Sequence, residues 1–277
     1  MAERRLLATV VSYCSNERPF VKAVLQNALL FSDVVVLSVG TRLYNGHNED
    51  ETSIAALARL FPDVIVARYD VPESLLPHPV ALHNSARIAG FAAARITLET
   101  MSPKTAKNAG FWTLLLDGDE VPDGPAFTAW WHGPSTPLAR EIPVKLANYW
   151  YFLDAQLVST THEDSVLLVH SSLMTDVAME HPRERDGIVM CSGQHAMRNT
   201  MGLDGVTPMF HHYSWVRRDR DALLLKVANW GHSGDRPWHV MLQHQMDEVD
   251  AGRWPDRDFV HGYTLRRLDR AAFHLSF

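Results

Sequence analysis

The sequence has few cysteines, no cluster of basic residues and no long apolar run. Its 277 residues include two cysteines, Cys14 and Cys191, too few for a disulfide framework or a thiolate zinc site, which predicts a reducing, cytoplasmic location. No window reaches the roughly 18 uninterrupted apolar residues that a membrane span needs, so we expect no transmembrane segment. The net charge is −6 without any Lys/Arg tract, which argues against a nucleic-acid partner.

What the chain does contain is enough apolar material for a large core. Hydrophobic residues make up 46% of it, and we find no internal repeat, low-complexity tract or linker, so we expect one domain without a clean boundary. Residues 3–5 and the apolar run Leu6–Val11 imitate a secretory signal. That run is short and has no small-residue cleavage pattern after it, so we interpret it as the first strand.

Strand and helix patterns alternate through the first half. Such alternation predicts a parallel α/β sheet, with ligands in the crevice at the carboxyl ends of the strands. The predicted strands are Leu6–Val11, Val34–Val39, Val64–Tyr69 and Phe111–Leu116, and the predicted helices are Pro19–Phe31, Glu49–Phe61 and Val80–Met101.

The pattern changes after Trp130. Glu180–Gly187 is rich in proline and charge, a composition typical of a mobile loop. The other segments predict a pocket built over the first half. They are strands at Ile142–Phe152, Ser165–Leu173 and Met209–Val216, and helices at Arg220–Trp230 and Trp238–Gly252.

The most informative motif is an apolar run that ends in three carboxylates. Phe111–Leu116 leads directly into Asp117, Gly118, Asp119 and Glu120, which predicts a buried central strand followed by a ligand site. Acids without a basic neighbour would repel one another unless a cation bound there. If the strand continues, Asp117 and Asp119 share a face, and Gly118 lets a phosphate approach the backbone. Mg²⁺ and Mn²⁺ prefer oxygen ligands of this kind.

The Asp-x-Asp pattern alone is weak evidence. It occurs three times, at residues 117/119, 219/221 and 256/258. The second pair opens a predicted helix, where acids favour the positive end of the dipole, and the third lies in a charged turn. We therefore interpret only Asp117 and Asp119 as ligand-binding, against the alternative of an ordinary acidic turn after a strand.

Four segments together resemble one known family. They are Val11–Tyr13 with Asn16–Arg18, Ser85–Gly90, Leu115–Glu120, and Phe210–Arg217 followed by Asn229–His232. They resemble the GT-A glycosyltransferases, particularly the family 2-like enzymes, over about residues 5 to 232. The resemblance implies an α/β GT-A fold, with a Rossmann-like nucleotide-sugar half and a mixed central sheet, plus C-terminal acceptor-side strands, loops and helices. We expect a single domain over residues 1–277, with a nucleotide-sugar-binding half at 1–120 and an acceptor-binding half at 121–277.

The resemblance also implies an activity. Such an enzyme moves a hexosyl or related group from a nucleotide-diphosphate sugar to an acceptor hydroxyl on a glycan or glycoconjugate. A bound Mn²⁺ or Mg²⁺ would stabilise the charge that develops on the departing diphosphate. The chain departs from the family pattern twice: the second strand ends in residues 38–41 without an acidic pair, and residues 99–108 form an insertion.

Three side chains are the predicted metal ligands. Asp119 is the direct ligand, and Asp117 contacts the ion or the ribose. The resemblance implies a third ligand from a C-terminal histidine, and strand alternation favours His212, which shares a face with Ser214, over His211. The alternative for His212 is a hydrogen-bonded strand histidine.

The predicted donor contacts lie in the first half. Arg87, and with less support Arg217, would neutralise phosphate oxygens, although an arginine on a helix is often simply solvated. Ser12 and Tyr13 would flank the nucleotide, with a core position as the alternative for Tyr13.

The catalytic base is expected beyond the acidic strand. An inverting transfer needs a carboxylate near the acceptor hydroxyl, and a retaining transfer needs another arrangement, so the stereochemistry stays open. The candidates are Glu180, Asp186 and, in the same segment, Glu184. Each could instead be an ordinary charged loop residue. The aromatic residues 149–152 could stack on an acceptor sugar or lie in the core.

Two other functions stay open. A metallohydrolase could use His170, His181, His195, His211 and His212 with nearby acids. The absence of His-x-His or His-Glu-x-x-His spacing disfavours it. A nucleotide-sugar-binding protein without catalysis would use the same motifs.

Overall fold

The computed structural model describes residues 5–133, 136, 138–153, 157–217, 219–229 and 235–268. In these ranges the chain forms a mixed α/β fold around one sheet of eleven strands. The strands are β1 (Leu7–Tyr13), β2 (Val34–Gly40), β3 (Val64–Tyr69), β4 (Trp112–Asp117), β5 (Glu120–Pro122), β6 (Val144–Leu153), β7 (Leu157–Ser159), β8 (Glu163–His170), β9 (Met197–Thr200), β10 (Phe210–Val216) and β11 (Leu265–Arg267).

The helices lie between these strands in the chain. They are α1 (Arg18–Ala28), α2 (Glu51–Leu60), α3 (Pro79–Met101), α4 (Pro103–Ala109), α5 (Gly124–His132), α6 (Asp176–Met179), α7 (Glu184–Cys191), α8 (Arg220–Ala228) and α9 (Trp238–Asp250). Short 3-10 turns occupy Ser15–Glu17, Glu73–Leu75 and Ser171–Leu173. Within the described ranges, none of these helices has the length and apolar character of a membrane span.

The first half of the sheet is parallel, as the sequence predicts. Its strand order is β3-β2-β1-β4, with all three pairings parallel. The register places Ser12 opposite both Ser38 and Asp117. The carboxyl ends of β1, β2 and β4 therefore meet at one edge, where open α/β sheets bind ligands.

The second half continues the same sheet and makes it mixed. Strand β8 pairs antiparallel with β4, β6 pairs antiparallel with β8, and β10 runs parallel to β6. Strand β5 pairs antiparallel with β10, which sets His212 opposite Glu120, while β6 sets Trp150 opposite His212. The mixed central sheet expected from the resemblance is therefore present. The division at residue 120 stays a prediction.

Apolar cores on both faces explain the continuous hydrophobic runs of the central strands. Phe20 and Val24 of α1 pack with Val11 on one face. On the other face, Phe91 of α3 packs with Val10. A Cβ added at Gly90 would lie 2.3 Å from Val10 Cγ1, so this glycine allows α3 to lie directly on β1.

One sequence-based expectation is wrong in this region, and the strand continuation on which another depended does not occur. Residues 180–187 are not a loop throughout, because α7 begins at Glu184 and buries Arg185 against the sheet. Strand β4 ends at Asp117, and Gly118 and Asp119 form a turn. The insertion at residues 99–108 contributes the end of α3 and most of α4.

Candidate active site

A cleft of about 770 Å³ opens at the carboxyl ends of β1, β2 and β4. Its size lies within the range of small-molecule sites. Glu180 does not line it, because this residue follows α6 and is exposed. Of the other predicted site residues, all but Arg217 line it: Ser12, Tyr13, Arg87, Asp117, Asp119, Glu184, Asp186 and His212.

The two aspartates of the acidic turn point to different partners. Because the strand ends at Asp117, the expected common face does not form. Asp117 Oδ1 lies 2.7 Å from Arg185 Nη2, whereas Asp119 faces Lys226 and His212. A Cβ at Gly118 would lie 2.6 Å from a carboxylate oxygen of Glu17, so a protein side chain fills the space expected for a phosphate.

A buried ion pair lies beneath the turn. Glu120 is 0% exposed, and Arg185 donates to its two carboxylate oxygens over 2.9 Å each, the bidentate geometry of strong charge-assisted hydrogen bonds. Burial opposes the charge on Arg185, but Asp117 and Glu120 outweigh it and raise the pKa of Arg185. Burial by itself would raise the pKa of Asp117. The charges of Arg185 and Arg87 have the larger, opposite effect, so the pKa of Asp117 is lowered. The acids therefore do have basic partners, contrary to the sequence-based expectation.

A second buried cluster joins three elements. Lys226 of α8 places Nζ 3.1 Å from Glu17 Oε1 and 3.3 Å from Asp119 Oδ2. Burial lowers the pKa of Lys226, but Asp119 and Glu17 more than offset it, so that pKa is raised. Burial would raise the pKa of Asp119, but Lys226 and His212 outweigh this effect and hold that pKa well below its usual range. Burial, with the nearby Asp119 and Asp117, raises the pKa of Glu17 to about 7 in spite of Lys226.

The two adjacent histidines of β10 face opposite sides, as strand alternation predicts. His212 Nε2 lies 3.3 Å from Asp119 Oδ1, and its ring stacks on Trp150 with centroids 4.8 Å apart. Burial opposes its protonation, but the hydrogen bond with Asp119 prevails and raises the pKa of His212. His211 Nδ1 instead lies 2.9 Å from the Tyr151 hydroxyl, and burial lowers the pKa of His211 to about 4.

The predicted Mn²⁺ or Mg²⁺ ligands do not converge in this arrangement. Asp117 faces Arg185, while Asp119 is shared by His212 and the Lys226 ammonium. Among the residues that the structure describes, no group of three or more His, Cys, Asp or Glu could hold a metal ion. The donor set therefore does not fit a divalent ion here. The metal assignment stays a sequence-based prediction and enters no step of the function proposed below.

Arg87 reaches the cleft from α3. It is 3% exposed, donates from Nη1 to Glu184 over 2.9 Å, and lies 3.8 Å from Asp117. Burial raises the pKa of Glu184, but His83 and Arg87 outweigh it and hold that pKa well below its usual range. Arg217, the second predicted phosphate contact, does not line the cleft. It donates to backbone carbonyls of β10 and lies 5.1 Å from the Phe20 ring centroid.

Two further lining residues carry a partly exposed charge and an aromatic ring. Asp186 lies 2.7 Å from Lys145 Nζ, and 55% of its side chain is exposed. Of the aromatic residues 149–152, Trp150 lines the cleft. Tyr151 and Phe152 are in the core. A hydroxylic acceptor could therefore meet a carboxylate and an aromatic surface here.

The histidines of the metallohydrolase alternative do not gather at one place. His170 packs on Trp112 and donates toward the Ala109 carbonyl, 3.0 Å away, while His211 contacts Tyr151. His181 and His195 are not in the cleft lining with His212. This arrangement gives the alternative no support.

Sequence reasoning missed the cations that neutralise the acids. These cations, Lys226 and Arg185, come from helices far along the chain, and the further acid Glu17, which Lys226 also pairs, comes from the turn after β1. Nothing in the local spacing marks the two cations, since Lys226 meets Asp119 and Arg185 meets Glu120 only in the folded chain. Glu17 does lie in a segment that carries the family resemblance, which was the one available signal.

Comparison with known proteins gives no family assignment. No protein-family profile matches the chain, and no curated protein matches it. Solved structures with some likeness include 4-diphosphocytidyl-2C-methyl-D-erythritol synthase (TM-score 0.40, 11% identity, 81% of this chain and 99% of that chain). A second is S. aureus TarS 1-349 (TM-score 0.37, 10% identity, covering 88% of this chain and 77% of that chain). A third is a glycosyltransferase involved in the glycosylation of the major capsid of PBCV-1 (TM-score 0.24, 14% identity, covering 61% of this chain and 61% of that chain). At these TM-scores the likenesses carry no argument about function.

Proposed function

We propose that this protein is a glycosyltransferase that moves a sugar from a nucleotide-diphosphate sugar to an acceptor hydroxyl of a glycan or glycoconjugate. The observation that carries the proposal is the cleft at the carboxyl ends of β1, β2 and β4. Its lining combines the acidic turn with buried cations, among them Arg87, Arg185 and Lys226. Such a surface suits a phosphorylated ligand bound at the edge of an α/β sheet.

The donor is assigned to the side formed by β1, β2 and α3. Ser12 and Tyr13 at the end of β1 would flank the nucleoside, and Asp117 would accept hydrogen bonds from the ribose hydroxyls. Arg87 lies beside Asp117 at 3.8 Å, and its guanidinium would donate to the diphosphate. Stabilising the charge that develops on the departing diphosphate lowers the barrier to sugar transfer.

The acceptor is assigned to the part of the cleft that Trp150 and Asp186 line. The indole of Trp150 offers an apolar face against which a sugar ring could stack. Asp186 is the proposed base, because its carboxylate is partly exposed toward the cleft and held by Lys145 at 2.7 Å. It would take the proton of the acceptor hydroxyl as the new glycosidic bond forms. Glu180 lies outside the cleft and is not part of this proposal.

A thermal-shift panel of nucleotide-diphosphate sugars tests donor binding. A ligand that binds the folded state raises the melting temperature by mass action, so one nucleotide class should stabilise the wild type. The variant Arg87→Ala should lose that shift. Its matched control is Arg95→Ala, since Arg95 lies on the same helix but is exposed on its surface. Equal shifts in both variants would contradict the assignment of Arg87 to the diphosphate.

Release of free nucleotide diphosphate separates transfer from binding alone. A glycosyltransferase releases it in step with glycosylation of an acceptor, whereas a nucleotide-sugar-binding protein retains intact donor. The measurement is product formation from the donor selected in the panel, with a mixture of glycan acceptors. Donor binding without any release would support the non-catalytic alternative.

A further inference from the structure

The cluster of Glu17, Asp119 and Lys226 contains its own cation. Glu17 is 7% exposed and Asp119 is 1% exposed, so two carboxylates from different elements are brought together away from water. Two such charges repel strongly unless a positive charge lies between them. The Lys226 ammonium lies there, 3.1 Å from Glu17 and 3.3 Å from Asp119.

The position of Lys226 is fixed by the fold. It lies on α8, whose residues Leu223 and Val227 pack in a core with Trp215 and Leu242. Lys226 is 5% exposed and lines the cleft. The ammonium is therefore held at the acidic turn by a packed helix, and its aliphatic chain is part of the protein interior.

The remaining acids of the floor are also paired. Arg185 is bound to both Asp117 and Glu120, and the second oxygen of Asp119 faces His212. The carboxylates at the end of β4 therefore already have positive or hydrogen-bonding partners from the chain itself.

We infer that Lys226 takes the place of the divalent cation at this acidic turn. Its ammonium holds Asp119 and Glu17 together, and the ligand is bound without Mn²⁺ or Mg²⁺. An ammonium has three N–H donors, and the carboxylates take two of them. The third is available to a phosphate oxygen in the cleft. The contact between Lys226 and a phosphate rests on the proposed function, whereas the replacement of a metal ion by Lys226 does not.

Removing the ammonium should create a metal site. In Lys226→Ala, the carboxylates of Asp119 and Glu17 would lose their shared ammonium, and the His212 imidazole already lies beside Asp119 as a further donor. Oxygen and imidazole donors together suit Mn²⁺. The variant is expected to bind Mn²⁺ at least about tenfold more tightly than the wild type. The free Mn²⁺ signal in electron paramagnetic resonance measures this without any nucleotide.

Two controls and one substitute variant complete the experiment. Lys104→Ala removes an exposed lysine of α4 and should bind no more Mn²⁺ than the wild type. Lys226→Ala/Asp119→Asn should lose the gained site. Should Lys226→Ala fold poorly, Lys226→Gln removes the charge but keeps a hydrogen-bonding group, and a rise in its melting temperature on adding Mn²⁺ reports the same site.

The outcomes are distinct from those of the functional proposal. Stoichiometric Mn²⁺ binding by the wild type as tight as that of the folded variant would overturn the inference, as would a folded variant that gains no affinity. Wild-type donor binding that survives a chelator would support it. Failure of every nucleotide to bind, together with gained Mn²⁺ binding in Lys226→Ala, would reject the proposed donor and keep the role of Lys226.

Discussion

Arg185 and Glu120 face each other through two hydrogen bonds of 2.9 Å, although 65 residues separate them in the chain. Glu120 follows the acidic turn and Arg185 lies on α7. The pair fastens α7 against the sheet and brings Glu184 and Asp186, which flank Arg185, to the rim of the cleft. A structural ion pair thus positions Asp186, the residue to which we assign the acceptor base.

Breaking this pair on one side should cost stability. Arg185→Met leaves the fully buried Glu120 without its partner and is expected to lower the free energy of unfolding by about 3–5 kcal/mol. The double variant Glu120→Gln/Arg185→Met should lose less than the sum of the single variants. Urea denaturation measures both values, with the exposed Arg183→Met as control. Strict additivity of the two single changes would show that the pair is not coupled.

Asp119→Asn should also destabilise the protein. An unpaired acid cluster would gain stability on losing one charge, but Asp119 is bound to Lys226 and His212. Its loss weakens charge-assisted hydrogen bonds at a buried site, and we expect a decrease of about 1–3 kcal/mol in the free energy of unfolding. Chemical denaturation checks this against Asp63→Asn, an exposed position. A more stable Asp119→Asn would mean that the acids repel as the sequence alone suggests.

Asp186→Asn should impair turnover while donor binding is retained. A positioned general base contributes about 10²–10⁴-fold to rate, so kcat should fall within that range. The thermal shift caused by the nucleotide sugar should be unchanged, because Asp186 lies on the acceptor side. Glu180→Gln is the control, since Glu180 lies outside the cleft. A larger loss of kcat in Glu180→Gln than in Asp186→Asn would reverse the assignment.

The free energy of unfolding should decrease as the pH is lowered, because His170 is buried in its neutral form. This histidine is 4% exposed, and burial lowers its pKa. The unfolded chain takes up the proton near pH 6.5, while the folded chain does so only at lower pH. The stability that depends on neutral His170 is therefore complete above about pH 6.5 and is lost as pH falls below it, by at most about 1.4 kcal/mol per pH unit.

A comparison of His170→Gln with the wild type tests whether His170 causes this loss of stability at low pH. Between about pH 7.5 and about pH 5.5, the free energy of unfolding should fall less steeply in the variant than in the wild type. His239→Gln on the surface of α9 should keep the wild-type slope. A variant slope equal to that of the wild type would show that His170 does not contribute to the pH dependence.

Local sequence patterns determined most of the framework. The apolar runs that became β1, β2, β3 and β4 alternate with amphipathic segments, and short-range periodicity is enough to predict such elements. Asp219 caps α8 by accepting from the Ala222 amide at 2.8 Å, as an acid that opens a helix should. Alternation along β10 likewise separated His211 from His212. Each of these properties depends on residues close together in the chain.

Only the tertiary structure decided the electrostatics of the site. The turn at Gly118 and Asp119 separated two aspartates that a continued strand would have kept on one face. Lys226 reaches Asp119 across 107 residues, and a helix replaced the loop expected around Arg185. Charge pairing depends on distances between elements, which packing sets and local spacing does not. The sequence by itself could therefore place the acids at the sheet edge, but the fold chose the cations that face them.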